Sequence, residues 1–207
     1  MNRRVSLLMI FLAVLSLGAV ASTKSDVLMR QARSDDRLQK IDLLRSFENG
    51  DIGVDSESIK ALGVLAGMGT VWRDHTSRST DYADVRAGAM TVLGNSGMDE
   101  ARKIVFEAID LETHPMALVA GFEAIANLGA GDSGLLALRV LNDAMLRNMA
   151  RTSNNSVADE YLKAMEKVAS SSDPDLQTIE VLTMLSQGRG FSQDIRSRAN
   201  TMLKGYW

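Results

Sequence analysis

The chain has 207 residues, 45% of them hydrophobic but only 5% aromatic, and a formal net charge of −3 from 23 basic and 26 acidic side chains. A mildly acidic balance argues against nucleic acid and anionic lipid, both of which reward clustered Lys and Arg. There is no cysteine, which excludes thiol catalysis, Cys-bound zinc and iron–sulfur clusters and leaves packing alone to hold an exported domain together.

Met1-Asn2-Arg3-Arg4 is a basic start, Val5 to Val20 is apolar, and Ala19-Val20-Ala21 is a small-x-small cleavage signal. This order reads as a signal peptide over residues 1–21, cut after Ala21. A retained anchor is the competing reading, but the run is shorter than the roughly 20 residues a spanning helix prefers, and Ser6, Ser16 and Gly18 dilute it. Residues 22–207 then form a single domain, with no later apolar run long enough to span a bilayer. Loss of Arg3 and Arg4 with the leader makes the net charge −5. A cysteine-free exported chain points to a periplasmic or secreted protein, with a bacterial source favoured.

Beyond the leader, Ala, Leu and Met abound and no period-2 pattern appears, so the domain reads as all-α. A short helix is expected near Asp26–Arg33. The next, Asp36–Glu48, carries Leu38, Ile41, Leu44 and Phe47 near helical spacing and ends at Asn49-Gly50. Asp55 is the expected N-cap of Ser56–Ala66. Asp84–Leu93 buries Val85, Ala89, Val92 and Leu93 and stops at Gly94. Asp99–Leu111 buries Ala101, Ile104, Val105, Ala108 and Ile109, an amphipathic spacing. Pro115–Leu128 is apolar almost all round and should lie mid-stack. Leu135–Met149, Val157–Val168, Leu176–Leu185 and Asp194–Leu203 follow. Both prolines, Pro115 and Pro174, sit where helices start.

One stretch recurs. Asp84-Val85-Arg86 with Ala89 and Leu93-Gly94 returns at Asp194-Ile195-Arg196 with Ala199 and Leu203-Lys204-Gly205. Ala120, Ala124 and Leu128-Gly129 keep the small-to-large spacing without the Asp and Arg. Taken as first helices of pairs, they place Ala89, Ala124, Ala164 and Ala199 in register, 35, 40 and 35 residues apart. From Ser34 onward the chain resembles the HEAT/armadillo-like family of helical repeats. The resemblance implies a right-handed α-solenoid of about four to five antiparallel helix pairs, in which no pair buries its apolar face alone.

The catalytic inventory is thin. His75 and His114 are the only histidines, and no G-x-S-x-G, H-E-x-x-H or P-loop spacing occurs. His114, before Pro115, reads as a cap or turn residue. Asn49–Asp55 is oxygen-rich but lacks the spacing of a calcium loop. No catalytic residue, metal ligand or cofactor is assigned.

Binding candidates fall on two surfaces. Trp72, Arg73, His75 and Tyr82 belong to a connection longer than the 2–8 residues usual between packed helices, and Trp and Arg are favoured interface anchors. The alternative is that its aromatics pack back on the stack. The second helices of the pairs, which line the concave side in HEAT-like stacks, carry Lys103, Phe106 and Asp110 pointing away from their apolar stripe, where the Phe either packs against the adjacent repeat or waits for a ligand. Arg139, Asp143 and Arg147 follow at spacings of four, either a binding stripe or an intrahelical ion-pair ladder. Tyr206-Trp207 either caps the last repeat or is read by a partner.

These features favour a non-enzymatic protein-binding scaffold or adaptor of a cell-envelope assembly, with protein partners and no nucleic acid. The alternative is an envelope enzyme acting on cell-wall glycan through carboxylates and His75 near the Trp72–Tyr82 loop. A carrier of an apolar ligand fits less well, because small register residues imply close packing. The export reading is checked by N-terminal sequencing of the protein recovered outside the cytoplasm, which should begin at Ser22. An intact Met1 would remove the compartment and the envelope reading together.

Overall fold

The computed structural model describes residues 24–70, 82–169 and 175–206. The expected signal peptide, residues 1–21, and Pro174 lie outside them. Among the described residues there are ten helices: α1 (24–32), α2 (Arg37–Glu48), α3 (Ser56–Ala66), α4 (Ala83–Asn95), α5 (Asp99–Leu111), α6 (Pro115–Leu128), α7 (Gly134–Met149), α8 (Asn155–Ala169), α9 (Leu176–Gln187) and α10 (Gln193–Gly205). There is no β-strand among the described residues, so the chain is all-α. None of these helices is long and apolar enough to cross a membrane.

Local chemistry starts most of them. Asp36 accepts from the Leu38 amide at 2.8 Å and opens α2. Asp55 and Ser58 form a reciprocal capping box on α3, which satisfies amides the helix cannot. His114 accepts from the Met116 amide ahead of Pro115, the capping role its sequence position implied. Asn154, Asp175 and Ser192 do the same for α8, α9 and α10. The Lys24 ammonium, 2.8 Å from Asp55, ties α1 to this second cap. Lys24 and the Ser58 amide lower the Asp55 carboxyl to about 2. That favourable ionisation is complete above the ordinary carboxylate pKa and is lost as the pH falls towards 2.

The helices sort into two rows. α2, α4, α6, α8 and α10 lie side by side in one, and α3, α5, α7 and α9 in the other, with consecutive helices crossing between rows. One continuous apolar core from Leu28 to Ala199 fills the space between them. Ala89, Ala124, Ala164 and Ala199 are all buried on the even row, at the positions their spacing gave.

The smallest residues set the closest contact. A Cβ added at Gly94 would come within 2.6 Å of the Ala124 Cα, so α4 and α6 touch backbone to backbone. Gly94 therefore does not stop its helix, which runs on to Asn95; it is the notch into which α6 fits. Gly121 serves α6 likewise, since a Cβ there would meet Ile109 and the Met90 sulfur at 2.6–2.9 Å.

Two buried polar clusters cross-link the rows. Arg86 Nε lies 2.5 Å from Glu112 Oε2, and a second nitrogen donates to Oε1 at 3.1 Å. Arg86 also donates to the Met68 carbonyl, and Glu112 accepts from the Thr113 and His114 amides. One ion pair thus joins the end of α3, the body of α4 and the α5–α6 turn. Farther along, the Tyr161 hydroxyl donates to Asn142, whose amide donates to Thr178. The Tyr161 ring meets Phe122 edge-on at 6.0 Å, and burial pushes its hydroxyl well above the ordinary tyrosine range.

The expected apolar face of α2 holds at Ile41, Leu44 and Phe47, which pack on the core, and departs only at its start. Leu43, Leu44 and Phe47 are buried with Lys40, while Leu38 is 67% exposed. The α4–α6 seam gives a direct test. By helix propensity Gly94→Ala should stabilise by about 1 kcal/mol. Against a backbone that cannot rotate away it should instead destabilise by about 1–3 kcal/mol, as should Ala124→Phe on the facing side. Urea unfolding midpoints decide this, and a raised midpoint for Gly94→Ala would mean the seam is looser than described.

Candidate functional site

The site grows from the way α5 and α7 share their residues between core and surface. α5 sends Ala101, Val105, Ala108 and Ile109 inward, which leaves Asp99, Lys103, Glu107 and Asp110 outside. α7 buries Ala137, Leu138, Leu141, Ala144 and Met145 and leaves Leu136, Arg139 and Asp143 towards α5. Between the two helices runs a groove of about 610 Å³. Phe106 and Val140 form its floor with Leu136, and charged side chains form its walls.

Five of the ten residues singled out in the sequence meet here: Lys103, Phe106, Asp110, Arg139 and Asp143. Phe106 packs against the neighbouring helix pair, the first of the two readings its spacing allowed. It is only 5% exposed, packed at the border between the two helices. Arg147 departs from the expected ladder. Arg139 does reach Asp143, at 3.7 Å, but Arg147 crosses to α5, donating to the Ile109 carbonyl at 3.1 Å and lying 3.8 Å from Asp110. Its Nε is buried without a hydrogen-bond partner.

Arg102, which the sequence reading passed over, closes one end. Its guanidinium donates to the Gly129 and Leu128 carbonyls, capping the negative end of α6, and to Asp99. Asp132, Leu136 and Val140 were missed too. Their signal was the i, i+4, i+7, i+11 spacing of Asp132, Leu136, Arg139 and Asp143, which matches that of Asp99, Lys103, Phe106 and Asp110 on α5.

A second groove of about 320 Å³ lies between α3 and α5, along Lys60, Val64, Ile104 and Glu107. Glu107 borders both.

The other candidate surface separates. Trp72, Arg73 and His75 lie outside the described residues. Tyr82 is only 4% exposed, and the buried Lys40 ammonium stands 5.1 Å from its ring centroid. It packs on the stack, a cation–π contact taking the place of a partner. Tyr206 is half-buried against the core, as a cap would be. Among the described residues no group of three or more His, Asp or Glu is placed to hold a metal.

No protein-family model matches the sequence, and neither a curated protein nor a solved structure shows significant similarity to it. What bears on function is therefore the groove and its chemistry. Its surface and its support should separate by mutation. Leu136 is 50% exposed, so Leu136→Ser should leave the melting midpoint nearly unchanged, within about 0.5 kcal/mol. Phe106→Ala should cost about 3–5 kcal/mol, as core aromatic truncations do. Equal effects would place Leu136 in the core and remove it from the groove.

Proposed function

We propose that the chain is an exported, non-enzymatic scaffold or adaptor, periplasmic or secreted, that binds a protein partner of the cell envelope. In this reading it is a right-handed solenoid of antiparallel HEAT/armadillo-like pairs. The partner sits along the odd-numbered row rather than at the Trp72–Tyr82 connection. One observation carries it: the α5–α7 groove has an apolar floor inside a rim of paired charges. A buried apolar centre within a polar rim is the anatomy of a protein interface. Repeat stacks offer such surfaces over long stretches.

The Asp and Glu residues of the rim serve this reading better than a catalytic one. Lys103 lies 3.9 Å from Glu107 and Arg139 lies 3.7 Å from Asp143, exposed pairs held in water.

Photo-crosslinking in the producing cells tests the proposal. A photoreactive residue replacing Lys103 or Arg139 should give adducts of one defined mass, and one replacing Glu123, exposed on α6 of the other row, should give none. Adducts from all three positions, or from none, would overturn it.

A further inference from the structure

The groove's charge pattern reaches further, to the chemistry of its occupant. The lining runs from Asp99 to Asp110 on α5, which at 1.5 Å per residue is about 16 Å, or three helical turns, and alongside it from Asp132, in the turn before α7, to Asp143 on α7. Along that length the character changes twice. Asp99 and Asp132 stand at one end, Asp110 and Asp143 at the other. The apolar Phe106, Leu136 and Val140 lie between them.

The carboxylates are not all satisfied equally. Five acidic side chains line the groove against three basic ones, and Arg102 is drawn down to the α6 carbonyls. Asp132 makes no hydrogen bond or ion pair with any described residue. Asp110 is held only at 3.8 Å, by an Arg147 whose stronger bond goes to the Ile109 carbonyl. Asp99 is held by Arg102 at 2.8 Å and Asp143 by Gln177 at 2.6 Å, so each end keeps one unpaired or loosely held carboxylate, Asp132 at one and Asp110 at the other, in an exposed setting where exchanging one ion pair for another costs little.

We infer that the groove receives a short amphipathic helix of a partner protein, with an apolar stripe bracketed by Lys or Arg about three turns apart. The stripe covers Phe106, Leu136 and Val140, and the two cations face Asp99 with Asp132 and Asp110 with Asp143. An apolar helix face laid in a groove between helices is a common recognition mode, read as anchors at i, i+3, i+4 and i+7. The rim adds polarity and register to it. This inference rests on the scaffold reading above and names the partner's chemistry.

The probe is a labelled, end-capped Ala/Gln-based helical peptide. It carries two lysines eleven positions apart, with leucines four and seven positions after the first. Fluorescence anisotropy against the whole mature chain should show saturable binding that weakens as salt is raised. Leu136→Ser should weaken it about tenfold and Asp132→Lys about fivefold or more. Both positions are exposed, and a melting curve for each variant confirms that the fold is retained. A peptide with glutamates in place of the lysines should bind at least about tenfold more weakly.

No binding of the lysine peptide, equal binding of the glutamate peptide, or wild-type affinity in both variants would each overturn the inference. If Lys103 and Arg139 crosslinks still map a partner to the groove, the scaffold reading survives and only the occupant's chemistry is wrong. If those crosslinks fail as well, both fall.

Discussion

The close approach of α4 and α6 sets the geometry of everything around it. Gly94 and Ala124 let two backbones meet without side chains between them, and the seam continues through Gly121, which seats α6 against both α4 and α5. Dispersion contacts are dense where helices come this near, and no rotamer entropy is lost by residues that have none. The odd row is different. α5 and α7 meet through long side chains, with Arg147 reaching across to Asp110 and the Ile109 carbonyl. Tight packing of α4 on α6 and looser packing of α5 on α7 is what leaves a groove between the latter two.

The asymmetry is local to these pairs: α4 and α6 meet through Gly94 and Ala124, whereas α5 and α7 leave a cleft between them. A cleft of about 610 Å³ suits a partner that inserts side chains, whereas a smooth wall suits one that lies flat.

Much of the helical frame was legible because its signals are local. Asp55, His114 and Pro115 start helices through groups two or three residues away, and the α5 pattern follows from its own period. What failed needed a neighbour to decide it. Gly94 reads as a stop signal until α6 is placed against it. Leu38 fits the α2 stripe by spacing but stands exposed, while Lys40 and Leu43 are buried beside the expected Leu44 and Phe47. Tyr82 looks like an exposed anchor until Lys40 is found over its ring. Of the groove, the sequence marked the outward positions Lys103, Asp110, Arg139 and Asp143. It could not show that they face one another, because that depends on the offset between α5 and α7 set by the core.

The same limit explains why the recurring Asp-x-Arg stretch is a similarity of sequence and not of interaction. Arg86 is buried, with Glu112 bidentate on it and the Met68 carbonyl beside it. Arg196 is half-buried and forms no ion pair with a described residue. A buried bidentate pair with its remaining acceptors filled cannot change partner without exposing an uncompensated charge, a loss of about 3–5 kcal/mol. The groove charges sit at the opposite extreme. Lys103–Glu107, Arg139–Asp143 and Arg147–Asp110 are each separated by more than 3.5 Å and exposed on at least one side, where a pair is worth about 0–1 kcal/mol. Charges that hold the stack together are locked inside it, and those on the odd row can exchange partners at little cost. A surface whose ion pairs are weak enough to be replaced, with Leu136 exposed above a buried Phe106 and Val140, can bind without disturbing the core beneath it.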